Sequence, residues 1–246
     1  MTFLKRIFSR LLIVSIALLA IACNVPPTAV PTARPIATPT GEPAPLATET
    51  VLPTITQTSE AVATSTQVPA RETIVIPIAI YILDDADDLL SSQRTIADIE
   101  AIYERVNEIW EQADIEIEVQ IIQRVTVPNE LLLGINRRDF FSFFGAVNRG
   151  EVNLPSFAPI VGFYSKELGG PNGINPSNSN AFFVMDTPSV YDERVTSHEI
   201  GHILGLHHVL DDAGRLLYSG TNGMSLTEEE QAVARYAAEG LLAGVR

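Results

Sequence analysis

All four histidines of this 246-residue chain fall between positions 198 and 208, in the run His198-Glu199-Ile200-Gly201-His202-Ile203-Leu204-Gly205-Leu206-His207-His208. In a chain so poor in histidine, independent residue odds put this spacing, with its Glu and Gly, on the order of 10⁻⁵. A helix stacks residues four apart on one face, one turn above the other. His198 and His202 are therefore expected to aim two imidazoles at one point. Glu199, rotated by only ~100° from His198, flanks that point without needing to bind there. Gly205, three residues past His202, suits a left-handed helix end. Such a turn would bring a third imidazole back, from His208 or its neighbour His207.

Three nitrogen ligands with a fourth position open to water are the arrangement of a catalytic zinc (Zn2+) site rather than a structural one. Such a metal brings the pKa of its water toward ~7 and polarises a carbonyl. Glu199 is then the general base on the zinc-bound water and the donor to a leaving amine. The pattern His198-Glu199-x-x-His202-x-x-Gly205-x-x-His208 resembles the long zinc motif of the metzincin metalloproteases. That resemblance implies a metal set of His198, His202 and His208, with catalytic Glu199 and hydrolysis of peptide bonds in a protein or peptide substrate. It implies a metzincin-like zincin domain: a small, mostly parallel twisted sheet, a backing helix, an active-site helix and a C-terminal helix. The family also pairs an extended substrate with an edge strand above the cleft, a place that residues 181–185 are expected to take. It sets a methionine in a turn beneath the zinc; here Leu217 aligns with that position, and Met224 comes too late. Leu for Met nearly conserves volume and usually costs under ~1.5 kcal/mol. A pappalysin-like or matrixin-like subfamily is as far as the motif reaches. Glu228, Glu229 and Glu230 offer a rival third ligand, although first-turn glutamates are explained by the helix dipole.

The rest of the chain divides into an address, a stalk and a domain. Residues 1–10 carry Lys5, Arg6 and Arg10, and 11–22 are apolar apart from Ser15, as in a signal peptide. The run ends at Cys23, the only cysteine, so no internal disulfide is possible. It resembles a bacterial lipoprotein signal, which implies a membrane anchor at an acylated Cys23 and an extracytoplasmic domain, or a secreted one without acylation. Residues 24–72 hold nine prolines and eleven threonines and no aromatic residue. Such a segment cannot bury enough apolar surface to offset its chain entropy, so 23–72 is read as a lipidated cysteine with a disordered stalk.

Residues 73–246 are the expected catalytic domain. Residues 1–72 hold five of the 16 basic side chains and four of the 30 acidic ones, leaving 11 and 26 for the domain, a net of −15. A globule that negative repels nucleic acid, so none is expected as a partner, and nothing demands more than a monomer. Residues 74–83 form an apolar, β-branched run expected as a buried strand. The acidic stretch 84–88 reads as a solvated turn, with a calcium site as the alternative. From about Ser92 to Ala113, Ile99, Ile102, Tyr103, Val106, Ile109 and Trp110 recur at helical spacing. Residues 115–122 alternate as a half-buried strand. Residues 137–149 suit a short aromatic helix or a hydrophobic loop, with the phenylalanines in the core. Strands are expected at 159–164 and 181–185, and a helix from about Leu226 with a capping box at Ser225 and Glu228. This order makes a mixed α/β (α+β) fold. A zinc-dependent endopeptidase is the first reading of function; a tethered zinc-binding module without catalysis, an adhesin or sensor, is the second.

Overall fold

A computed structural model of the chain describes residues 71–155, 158–176 and 179–244. The signal, Cys23 and nearly all of the stalk lie outside the described residues.

Strand β1 (Ile74–Asp84) is the spine of the domain. It lies between two parallel neighbours, β2 (Ile115–Thr126) and β3 (Ile160–Ser165), which explains why it is apolar at consecutive positions. Ile76, Ile78, Ile80 and Ile82 enter one core, and Ala79, Tyr81 and Leu83 enter another on the opposite face. Pro77 cannot donate to a ladder, and one residue beyond it the register with β2 slips, between Ile78 and Ala79. β2 runs four residues past the expected end because Val125 is buried and Arg124 clasps Asp84 at 2.7 and 2.8 Å.

The sheet is completed by β4 (Gly173–Ile174) and β5 (Ala181–Met185), in the order β2-β1-β3-β5-β4. Every pairing is parallel except β4 with β5. This corrects one expectation: residues 181–185 are an interior strand, and the edge strand is Gly173–Ile174. Phe182, Phe183 and Val184 are fully buried, as a strand covered on both faces requires.

Helix α1 (Ile96–Trp110) starts four residues later than its apolar spacing suggested. Asp186 holds Ser92 Oγ and the Gln93 N–H at 2.6 Å each, outside the helix, and a Thr95–Asp98 capping box opens it. All six residues of its expected apolar face are buried. A 3₁₀ turn (Glu111–Ala113) and a left-handed Asp114 return the chain to the sheet.

Two short helices, α2 (Asn129–Asn136) and α3 (Phe140–Asn148), cover the other face. Of the two readings of 137–149 the helix is correct. Phe140, Phe143 and Phe144 meet the stacked pair Phe163 and Phe183 tilted or edge-on in one aromatic cluster, whereas Phe141 is 89% exposed. Helices α4 (Asp192–Ile203) and α5 (Glu228–Leu242) join α1 on the first face. The α5 capping box is Thr227 with Glu230, two residues beyond the expected pair, because Ser225 Oγ donates to the Gly214 carbonyl instead. The acidic stretch is a turn: Asp84 pairs with Arg124, and Asp85 accepts from the Leu90 N–H at 2.7 Å and Ser91 Oγ at 3.2 Å. The domain is thus a mixed α/β fold with a five-stranded, mostly parallel sheet, consistent with a metzincin-like zincin domain.

Candidate metal centre

Helix α4 is buried along almost its whole length, including Arg194, Thr196, Ser197, His198 and Glu199. Two ion pairs brace its first turn against α1 and the segment before it: Arg94 with Asp192, and Arg105 with Glu193 at 3.0 Å. Asp192 and Glu193 also complement the positive end of the helix dipole.

His198 and His202 present their rings 4.7 Å apart from successive turns. The helix then stops in a Schellman turn. The Leu206 N–H reaches the Gly201 carbonyl at 2.9 Å, the Gly205 N–H reaches that of His202 at 3.2 Å, and Gly205 takes φ +81°. The redirected chain delivers His208. Its Nε2 lies 3.1 Å from that of His198 and 3.2 Å from that of His202. His207 is exposed and outside this group, and none of Glu228, Glu229 and Glu230 joins it. Glu230 instead caps α5 and pairs with Arg215 at 2.8 Å. Among the described residues, the three imidazoles are the only cluster of three or more side chains able to hold a metal.

The donor chemistry fits a zinc ion. Carbonyl oxygens only accept, so His198 Nδ1 must donate to Leu216 O (2.8 Å), and His202 Nδ1 to Leu206 O (3.0 Å). Their Nε2 atoms are then bare lone pairs, both directed at His208 Nε2, and a single cation among the three nitrogens satisfies all of them. Two nitrogens on a tetrahedral zinc stand roughly 3.3–3.4 Å apart, close to the observed separations. Fixing each ring through its far nitrogen is how proteins orient metal-binding histidines. Burial pushes the His198 imidazole down to about 3 and lowers that of His202 too, with the neighbouring imidazoles and Arg194 adding to it, so both rings remain neutral donors.

Glu199 lies beside the cluster, nearly buried under the edge strand. Burial raises its carboxyl to about 8, opposed by a hydrogen bond from the Asn175 backbone and by the Arg194 charge. A cation on the imidazoles would favour the ionised form further. Gly173 makes room for it: a Cβ there would stand 2.8 Å from Glu199 Oε1 and 2.7 Å from Val195 Cγ1. The cleft of about 330 Å³ between β4 and α4 is lined by Gly173, Asn175, Glu199 and the three histidines.

Leu217, next to the Leu216 carbonyl that holds His198, is fully buried against Gly201 of α4, where a Cβ would approach Leu217 Cδ2 to 3.2 Å. Met224 lies elsewhere in the same core, only partly buried. Sequence reasoning missed Arg194. Its guanidinium, one turn before His198, donates to Leu216 O at 2.9 Å and to Tyr218 O. Arg194 and His198 therefore share the Leu216 carbonyl, which ties the turn under the cluster to α4. A lone arginine on a helix carries no signal of that use.

The model of metallo-peptidase family M12B, reprolysin-like, matches residues 96–209. That span starts at α1 and ends just past His208. The match and the three-histidine cluster together support a zinc-dependent metallopeptidase. No curated protein matches the chain. A solved structure described as "Structure of a chaperone-substrate complex" is similar at 14% identity and a TM-score of 0.43, over 70% of this chain and 36% of that one.

Proposed function

We propose that the chain is a zinc-dependent endopeptidase that hydrolyses peptide bonds of extracellular proteins or peptides. The observation that carries this reading is the convergence of His198, His202 and His208 with Glu199 beside them beneath an edge strand. When bound, zinc acidifies water and polarises the scissile carbonyl. The three imidazoles hold the ion, and Leu216 O and Leu206 O fix the tautomer of two of them. Glu199 accepts a proton as the water oxygen bonds to the carbonyl carbon. It returns that proton to the amine nitrogen as the carbon–nitrogen bond breaks. β4 is the edge strand on this side of the sheet, and its outer side offers a place for an extended substrate to pair across the cleft. The cleft is open, which suits an internal peptide bond.

The same reading places the domain outside the cytoplasm. Cys23 carries the lipid anchor to the membrane, and residues 24–72 serve as the stalk of a monomer. Without acylation of Cys23 the protein is secreted. The second reading, a tethered zinc-binding module without catalysis, leaves the presence of Glu199 unexplained. Cleavage of casein or a peptide by the full chain should be abolished by a chelator and restored by zinc. Glu199→Ala should keep about one equivalent of zinc and lose cleavage; equal cleavage by that variant would overturn the enzyme reading.

A further inference from the structure

Next to the cleft lies a second groove of about 590 Å³, between α5 and the segment that follows β4. The two are neighbours, for Asn175 and His202 line both. Asn175 directly follows β4, so an extended chain paired with β4 and running on past it would meet this groove. Its walls are mainly apolar, with Ile203, Ala237 and the ring of Tyr236 among them. Among the described residues that line it, and apart from His202, which is committed to the cluster, the only charged side chain is Glu239.

Tyr236 and Glu239 are three residues apart on α5 and so share one helix face. Tyr236 is 81% exposed, and Glu239 is exposed as well. Among the described residues the Glu239 carboxylate has no hydrogen bond or ion pair. Elsewhere on α5, Glu230 is occupied by Arg215 and by its own cap.

The geometry points to a specificity site for a lysine or arginine side chain of the substrate, with Tyr236 and Glu239 as its recognition residues. This rests on the peptidase reading and names the substrate class. A basic side chain has the two parts the groove matches. Its methylene stem lies along the apolar walls, as long cationic side chains do on apolar surfaces. Its cationic head meets the Glu239 carboxylate and the face of Tyr236, which attracts cations through the ring quadrupole. A neutral side chain of similar length gains only the walls. An acidic one meets Glu239 and a domain with a net charge of −15.

Peptide libraries, randomised one position at a time around the cleaved bond, test this with the full zinc-loaded chain. One position should favour Lys or Arg over Gln and Met by about five- to tenfold, as expected of an exposed ion pair with an aromatic contact. Glu239→Gln should reduce that preference to under about twofold, and Glu239→Lys should turn it toward acidic residues. No preference for basic residues, or one that survives Glu239→Gln, overturns the proposal. A parallel arm measures binding of an arginine peptide and its glutamine analogue to Glu199→Ala. The arginine peptide should bind about five- to tenfold tighter, and that margin should vanish when Glu239→Gln is added. A chain that cleaves nothing but retains this margin refutes the peptidase reading and leaves the groove assignment standing. Equal binding of the two peptides refutes the groove assignment alone.

Discussion

Helices α1 and α4 pack against each other and both send apolar residues into the same core, but α4 buries polar and charged side chains as well. α1 puts six large apolar residues into the core and leaves its charges in water. α4 buries Arg194, Thr196, Ser197, His198 and Glu199. Burying a polar or charged group costs free energy unless a partner compensates. α1 is thus a source of stability. α4 draws on that stability to hold neutral imidazoles and a raised carboxyl where they act together. Backbone carbonyls serve three of these groups, with Leu216 O and Tyr218 O for Arg194, Leu216 O for His198 and Leu206 O for His202, while the Tyr164 hydroxyl partners Thr196 at 3.0 Å. Local departures from an apolar core are expected where a protein does chemistry.

The sharpest way to break this contrast is to simplify each helix in turn. Glu199→Ala on α4 should lower kcat by ~10²–10⁴, the usual contribution of a general base. Its thermal midpoint should be unchanged or raised, because a buried carboxyl is gone; a large fall would mean that α4 stabilises as α1 does. Trp110→Ala on α1, at a fully buried position, should cost about 3–5 kcal/mol in urea unfolding. The fraction that remains folded should bind zinc as the wild type does. A smaller effect, on the α4 side, is expected at its left-handed end. Gly205→Ala, at φ +81°, should cost roughly 1–2 kcal/mol and weaken zinc binding through a displaced His208, both read by calorimetry. The smallest belongs to α1: Thr95→Ala removes its cap and should cost ~1 kcal/mol, with cleavage unaltered in the folded protein.

The same contrast explains what was legible in the sequence. The face of α1 could be read residue by residue, since apolar spacing is the direct imprint of a one-sided core. β1 was legible for a similar reason, as an apolar run covered on both faces. Two of the three imidazoles could be read from helix geometry and the turn from Gly205, but spacing left His207 and His208 open as the third, and only the resemblance to the metzincin motif pointed to His208. Other features depend on tertiary context that no local pattern carries. Ser225-x-x-Glu228 and Thr227-x-x-Glu230 are equally good capping boxes on paper, and the bond from Ser225 to Gly214 O decides between them. β4 has only two residues, one of them glycine, so no periodicity marks it as the edge strand. Residues 129–136 form a helix whose eight-residue length leaves little periodic signal. Arg194 acquires its role from carbonyls more than twenty residues away in sequence.

Zinc titration of the full chain beside His208→Ala and His207→Ala decides whether three imidazoles, the third from His208, hold the metal. One zinc per chain is expected in the wild type, retained by His207→Ala and lost or weakened by at least about a hundredfold in His208→Ala. Stoichiometric zinc of unchanged affinity in His208→Ala would rule His208 out as a ligand.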